Sequence, residues 1–192
     1  MADLQYDERV AIARLHALLE LLPTALDKEL APAGLTSFEF TLLEALHEAD
    51  GHRLRLSALA SRTNATLARL SRVVTGLERK KLVARMPCAE DGRATNAVLT
   101  DEGETAYEES RPLYADAVRR MILDGLDDDG VDQLASLSYA ILAKLDPDRR
   151  LAVTVSGAAA CAADPVPDGA CAADPAPAEE CAADPAPVAE RV

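Results

Sequence analysis

The stretch Leu77–Gly103, LERKKLVARMPCAEDGRATNAVLTDEG, decides how the rest of the chain is read. Leu77 closes a row of apolar residues at helical spacing, and two strand-like runs follow, Val83–Met86 and Thr95–Leu99. They are joined by residues 87–94, with Pro87 near the start and Asp91-Gly92 near the tip, a pattern that predicts a β-hairpin with Arg93 on its exposed loop. Thr100 is then placed to cap a helix, with Asp101 and Glu102 in the first turn, where the helix dipole favours anions.

Just upstream, HRLRLS (His52–Ser57) alternates Arg53 and Arg55 with Leu54 and Leu56, which predicts a very short strand with its leucines toward the core. Ser57 is expected to cap a brief helix through Ala58, Leu59 and Ala60. After the polar turn Thr63-Asn64 a second helix runs to about Lys80, with Leu67, Leu70, Val74 and Leu77 on its buried side. Two helices joined by a short polar turn make a helix-turn-helix candidate. The opposite side of the second helix carries Ala65, Ala68, Arg69, Arg72, Thr75, Gly76 and Arg79, with no acid before Glu78. A helix face that needs only solubility would more often mix Glu with Lys, so this composition points toward a polyanion.

Further out, Thr36 and Glu39 form a capping box that opens a helix to about Glu48, closed by Asp50-Gly51. The first helix carries Leu15, Leu18, Leu19, Leu22, Leu26 and Leu30 as one apolar stripe, with Pro23 expected to kink it. Downstream, Pro112 is expected to interrupt or kink the helix before Leu113–Leu123. A last helix from about Asp127 places Val131, Leu134, Leu137, Ile141 and Leu145 on one side and ends before Pro147. Beyond Arg149 the chain turns to Ala, Pro and Asp in a ten-residue repeat (CAADPVPDGA, CAADPAPAEE, CAADPAPVAE), too poor in large apolar residues to bury a core. The expected fold class is mainly α with a small β-hairpin wing (α+β), in one domain over residues 1–148 and a disordered tail over 149–192.

A net charge of −13 seems to argue against nucleic acid, but the average conceals a separation. From Arg53 to Leu99 ten basic residues stand against three acids, a net +7 that leaves −20 for the rest. A basic centre on acidic flanks is compatible with a nucleic-acid footprint despite the acidic pI. With 49% hydrophobic residues in 192 the chain can bury a core unaided. No apolar run approaches the roughly 18 residues of a membrane span, no signal peptide is evident, and a cytoplasmic location is expected. Cys88, Cys161, Cys171 and Cys181 would then stay reduced; none belongs to a CxxC pair. His16, His47 and His52 have no metal-site spacing, and no nucleophile with its base, phosphate loop or paired carboxylates suggests an enzyme. No metal or cofactor is expected.

The ordered set of helix-turn-helix, LERKKLVAR, DGR and AVLTDEG between long terminal helices resembles the MarR family of winged-helix transcription regulators over roughly residues 7–146. The resemblance implies a winged helix-turn-helix lobe over about 36–100 and a homodimer built by helices over about 7–33 and 101–146. It implies a pseudo-palindromic double-stranded DNA operator, the second helix of the motif entering the major groove and the wing arginine a minor groove. Carried over by position, Thr66, Arg69, Ser71, Arg72 and Thr75 are the exposed recognition-helix residues, Arg93 is the wing arginine, and Asp91 is the acid that would hold an arginine in place. Arginine suits both guanine edges and the potential of a narrow minor groove. The resemblance also implies a crevice for a small lipophilic or phenolic effector, here with Leu22, Phe38, Leu42 and Tyr114 as candidate lining. One departure is Lys81, where members often have glycine; lysine would cost about 1–2 kcal/mol if the left-handed geometry is kept.

The expected function is thus an effector-responsive repressor. A winged helix used as a protein-interaction module and a thiol-based redox sensor acting through Cys88 or the tail are the alternatives; Arg85 and Arg93 nearby would lower the Cys88 thiol pKa.

Overall fold

The computed structural model describes residues 3–88 and 94–155. Asp91, Arg93 and the cysteine-containing repeats lie outside the described residues. Among the described residues seven α-helices and three strands follow in order: α1 (Tyr6–Leu30), α2 (Ser37–His47), β1 (Arg53–Arg55), α3 (Leu56–Arg62), α4 (Leu67–Arg79), β2 (Val83–Pro87), β3 (Thr95–Leu99), α5 (Asp101–Met121), α6 (Asp128–Leu145) and α7 (Ala152–Val155). The sheet is antiparallel in the order β1-β3-β2, with Leu54 opposite Ala97 and Arg85 opposite Ala97 on its other edge. No helix among the described residues is long and apolar enough to cross a membrane.

The core gathers where α2, α3, α4 and α5 close over the sheet. Leu42, Leu43, Leu46, Leu59, Leu70, Val74 and Leu77 are fully enclosed there. Each contributes about 1.5–3 kcal/mol through removal of apolar surface from water. The sequence-predicted capping box is present at α2: Thr36 Oγ1 accepts from the Glu39 N–H at 3.2 Å, and Glu39 Oε2 accepts from the Thr36 N–H at 2.9 Å. Asp27 of α1 accepts from both the Ser37 N–H and its hydroxyl, at 2.7 and 2.6 Å, so the start of α2 is tied to α1.

Several expectations are corrected. α3 begins at Leu56 with Arg55 at its N-cap, so Ser57 lies inside the first turn; β1 is hydrogen-bonded to β3 through Arg55, and the chain passes from strand to helix without a capping side chain. Leu67 is 53% exposed, because it starts α4 on the outer side while Leu70, Val74 and Leu77 face inward. Of the two outcomes expected at Pro112, an interruption is absent, since α5 runs unbroken through it, as α1 runs unbroken through Pro23. Both prolines and the residues four before them, Glu108 and Leu19, are exposed, so water can serve the carbonyls that lose their partners. The α1 stripe is divided: Leu26 and Leu30 are buried, whereas Leu18 and Leu19 are exposed. The described chain continues past residue 148. Asp146 accepts from the N–H groups of Arg150 and Leu151 at 3.0 and 2.9 Å and from the Thr154 hydroxyl, which folds α7 back, and Ser61 of α3 donates to the Arg150 carbonyl.

Lys81 keeps the left-handed geometry, with φ of 63°. Its N–H bonds the Glu78 carbonyl at 3.0 Å and the Leu82 N–H bonds the Leu77 carbonyl at 3.0 Å, the pairing of a Schellman termination. Asn64, with φ of 53°, ends α3 in the same way, and asparagine tolerates that region better than lysine. The Leu82 carbonyl in turn accepts from the Thr100 N–H at 3.2 Å, and the Thr100 hydroxyl donates to the Lys81 carbonyl at 2.7 Å. A Cβ at Gly103 would stand 2.0 Å from the Leu82 oxygen, so only glycine admits this approach.

Two substitutions test the junction by denaturant unfolding. Lys81→Gly should raise stability by about 0.5–1 kcal/mol, the relieved strain less glycine's extra freedom in the unfolded chain. Gly103→Ala should lower it by about 1–3 kcal/mol through overpacking against backbone.

Candidate nucleic-acid interface

α3, the turn Thr63–Thr66 and α4 form the helix-turn-helix. Thr63 is buried, and its hydroxyl donates to the Leu59 carbonyl at 2.7 Å. Thr66 caps α4, accepting from the Arg69 N–H at 3.3 Å. The N-terminal end of α4 therefore points outward with an exposed hydroxyl and the positive end of a helix dipole, a combination suited to phosphate. Arg69, Arg72 and Arg79 are exposed along the same helix, with no acid in its first turn.

The five recognition-helix candidates divide into two groups. Thr66, Arg69 and Arg72 stand exposed. Ser71 and Thr75 are half-buried and engaged by Arg85 of β2: its guanidinium donates to the Ser71 carbonyl at 2.9 Å, the Ser71 hydroxyl at 3.2 Å and the Thr75 hydroxyl at 3.1 Å, and pairs with Glu78. The Thr75 hydroxyl also donates to the Ser71 carbonyl at 3.0 Å. Ser71 and Thr75 thus carry the brace between recognition helix and hairpin. Arg85 belongs to the basic segment in the sequence, but its role emerges only when β2 folds beside α4. The hairpin continues beyond β2 with Cys88 N–H bonding the Ala94 carbonyl at 2.9 Å. Cys88 is 3% exposed and disulfide-bonded, so it does not present the reduced surface thiol expected from the sequence.

At the other side of α4, the Arg69 guanidinium lies 4.2 Å over the Phe38 ring of α2. Such a cation–π contact contributes about 0.5–1 kcal/mol when exposed. Arg69 and Phe38 wall a crevice of about 250 Å³ with Leu22, Pro23 and Leu26 of α1, Ser37 and Thr41 of α2, and Tyr114 of α5. Of the four expected lining residues, Leu22, Phe38 and Tyr114 stand in this wall. Leu42 does not: one turn beyond Phe38, it is fully enclosed in the core. Arg69 was assigned to the outer face alone, and its place between that face and the crevice had no signal in the sequence.

The far end of α4 is held separately. Lys80 Nζ donates to both Glu39 carboxylate oxygens at 2.7 and 2.8 Å and to the Gly34 carbonyl at 2.9 Å. Glu39 is 8% exposed and serves the capping box at the same time, so one carboxylate secures the start of α2 and the end of α4.

A family model described as MarR family matches residues 35–95, the segment from just before α2 to the first residue of β3. The chain is 32% identical to AbsC, a MarR family transcriptional regulator from Streptomyces coelicolor, with a TM-score of 0.73 over 77% of this chain and 99% of that one. It is 31% identical to Sco3205, another such regulator from Streptomyces coelicolor, solved in complex with DNA, with a TM-score of 0.74 over 77% of this chain and 92% of that one. It is also 30% identical over 107 residues to the HTH-type transcriptional repressor YetL of Bacillus subtilis (strain 168), covering 56% of this chain and 64%, just under two thirds, of that repressor.

The brace makes a stability prediction. Arg85→Met should cost about 1.5–3 kcal/mol in denaturant unfolding, the range for hydrogen bonds to a charged group, and should speed amide exchange through Val83–Met86. Unchanged stability and exchange would remove Arg85 from this role.

Proposed function

This chain belongs to the MarR family of transcriptional regulators, and from that premise we propose that it is a homodimeric, sequence-specific double-stranded-DNA-binding repressor whose grip on its operator is released by a small lipophilic or phenolic effector. The observation that carries the reading is α4: Thr66, Arg69 and Arg72 exposed toward the outward end of a helix that Arg85 holds along its hairpin side and Lys80 at its C-terminal end. Arginine on such a helix bonds guanine edges or phosphates, and the hydroxyl at its N-terminus suits phosphate. Arg93 would extend the contact from the wing into a minor groove, with Asp91 orienting it, as the family resemblance implies.

Dimerisation follows from the apolar surface that one chain leaves uncovered. None of the eighteen residues of α6 is buried, and Val131, Leu134, Leu137, Ile141 and Leu145 are between 38% and 75% exposed. Leu4, Tyr6, Ile12, Leu18, Leu19 and Leu21 add a second patch along and before α1. A helix with such a face is covered by a partner, and a second copy supplies a self-complementary one. Two-fold symmetry would place two α4 helices in half-sites about one helical turn apart.

The crevice supports the effector reading. Its apolar wall from Leu22, Pro23, Leu26, Phe38 and Tyr114 suits a lipophilic ring, and Ser37, Thr41 and Arg69 offer polar partners. A ligand there would compete with Phe38 for Arg69 and shift the population of DNA-competent dimers, provided it prefers the incompetent form. YetL, a repressor, supports repression over activation. The reading assigns the chain to the cytoplasm, in contact with the chromosome, and to regulation, with no reaction of its own.

Fluorescence anisotropy against DNA from upstream of the coding region, over a salt series with random DNA as control, tests this. Selective binding that weakens steeply with salt is expected. Arg72→Ala should cost about 1–3 kcal/mol of operator affinity if it reads a base, or lower the salt slope by about one if it meets phosphate. Arg93→Ala should weaken binding without dissociating the dimer. Equal, weak binding to both DNAs and no effect of either substitution would favour the protein-interaction module instead.

A further inference from the structure

We propose that His47, His52 and Glu104 form a binding site for a divalent transition-metal cation, one that joins the end of α2 and the following turn to the start of α5. The three residues had no metal-site spacing in the sequence, yet the fold brings one ligand atom from each to within 4.8 Å of the others. His47 Nδ1 lies 3.7 Å from Glu104 Oε1, and the two imidazole rings have centroids 5.4 Å apart.

The nitrogens themselves ask for a partner. Nδ1 of His47 and Nδ1 of His52 are both buried and have no hydrogen-bond partner among the described residues. Buried polar atoms in native folds are nearly always satisfied, and an orphan calls for a proton partner, a water or an ion. A proton does not close the gap, since 3.7 Å to Glu104 exceeds hydrogen-bond reach. His52 is also held in the left-handed region at φ 53°, and the turn at Gly51 aims it back toward α2.

The dimensions fit a cation with small movements. At bond lengths near 2.0–2.1 Å, tetrahedral ligand atoms stand about 3.3–3.4 Å apart, so the His47–Glu104 pair is nearly in place and no pair must close by more than about 1.5 Å through side-chain rotation. The site is half-buried rather than sealed, leaving room for water as the fourth ligand. Two imidazoles and one carboxylate select the borderline cations, with zinc, cobalt and nickel at their centre, over calcium or magnesium, which take oxygen ligands. The Tyr107 ring packs 4.6 Å from His47 and limits how far that imidazole can swing.

Cobalt(II) titrated into the full-length protein near pH 7.5, followed by visible spectroscopy and then displaced with zinc, tests the proposal. One saturable site per chain is expected, with d–d bands and no thiolate-to-cobalt charge-transfer band in the near ultraviolet. Affinity should fall at least about tenfold in each of His47→Gln, His52→Gln and Glu104→Gln, and stay unchanged when Cys161, Cys171 and Cys181 are all replaced by serine. Circular dichroism confirms that the variants fold. No saturable binding by the parent protein, a thiolate band lost with the cysteines, or parent-like affinity in the folded histidine variants would each overturn it.

Discussion

The approach of Gly103 to the Leu82 carbonyl is the constraint on which the placement of the lobe depends. A single oxygen, three residues past the recognition helix, receives the Thr100 N–H and occupies the space that any side chain at position 103 would need. The left-handed turn at Lys81 aims that oxygen, and the Thr100 hydroxyl fastens the Lys81 carbonyl while capping α5. The end of α4, the start of β2, the end of β3 and the beginning of α5 therefore meet within a few bonds. α5 and α4 are thus joined through backbone groups and the short side chain of Thr100.

α4 is treated differently along its two sides. Toward the hairpin, Arg85 fixes Ser71, Thr75 and Glu78 with a planar fork whose donors are committed in several directions. Toward the crevice, Arg69 rests on an aromatic face, a contact that is weaker and less directional. A rigid side keeps the helix in register with the wing, while the softer side faces the cavity. Under the proposed effector reading, that asymmetry would let the contact beside the crevice change without breaking the one that positions the helix.

The local grammar of the fold was legible in the sequence. Thr36 with Glu39, Thr100 before two acids, and the alternation around Leu54 each follow short-range rules that tertiary structure left intact. Where reading failed, a distant neighbour decided. Leu67 fits the apolar period but lies at the first turn, beyond the reach of the core. Leu42 and Phe38 share a helix face by spacing, yet one is enclosed and the other opens on a crevice made by α1 and α5. Arg85, Phe38 beneath Arg69, and the meeting of His47, His52 and Glu104 all join residues from separate elements, which no spacing encodes.

The separation of charge has a kinetic consequence. With +7 concentrated between Arg53 and Leu99 and −20 elsewhere in the sequence, the positive charge is gathered on the lobe that holds α3, α4 and the sheet. A DNA duplex repels most of its surface and attracts the lobe alone, so encounters are sorted by orientation before any contact forms. The sorting acts only within about a Debye length, roughly 8 Å at physiological salt. Acidic flanks also discourage lingering on DNA in unproductive poses, so a chain with an acidic pI can search a polyanion through its basic segment.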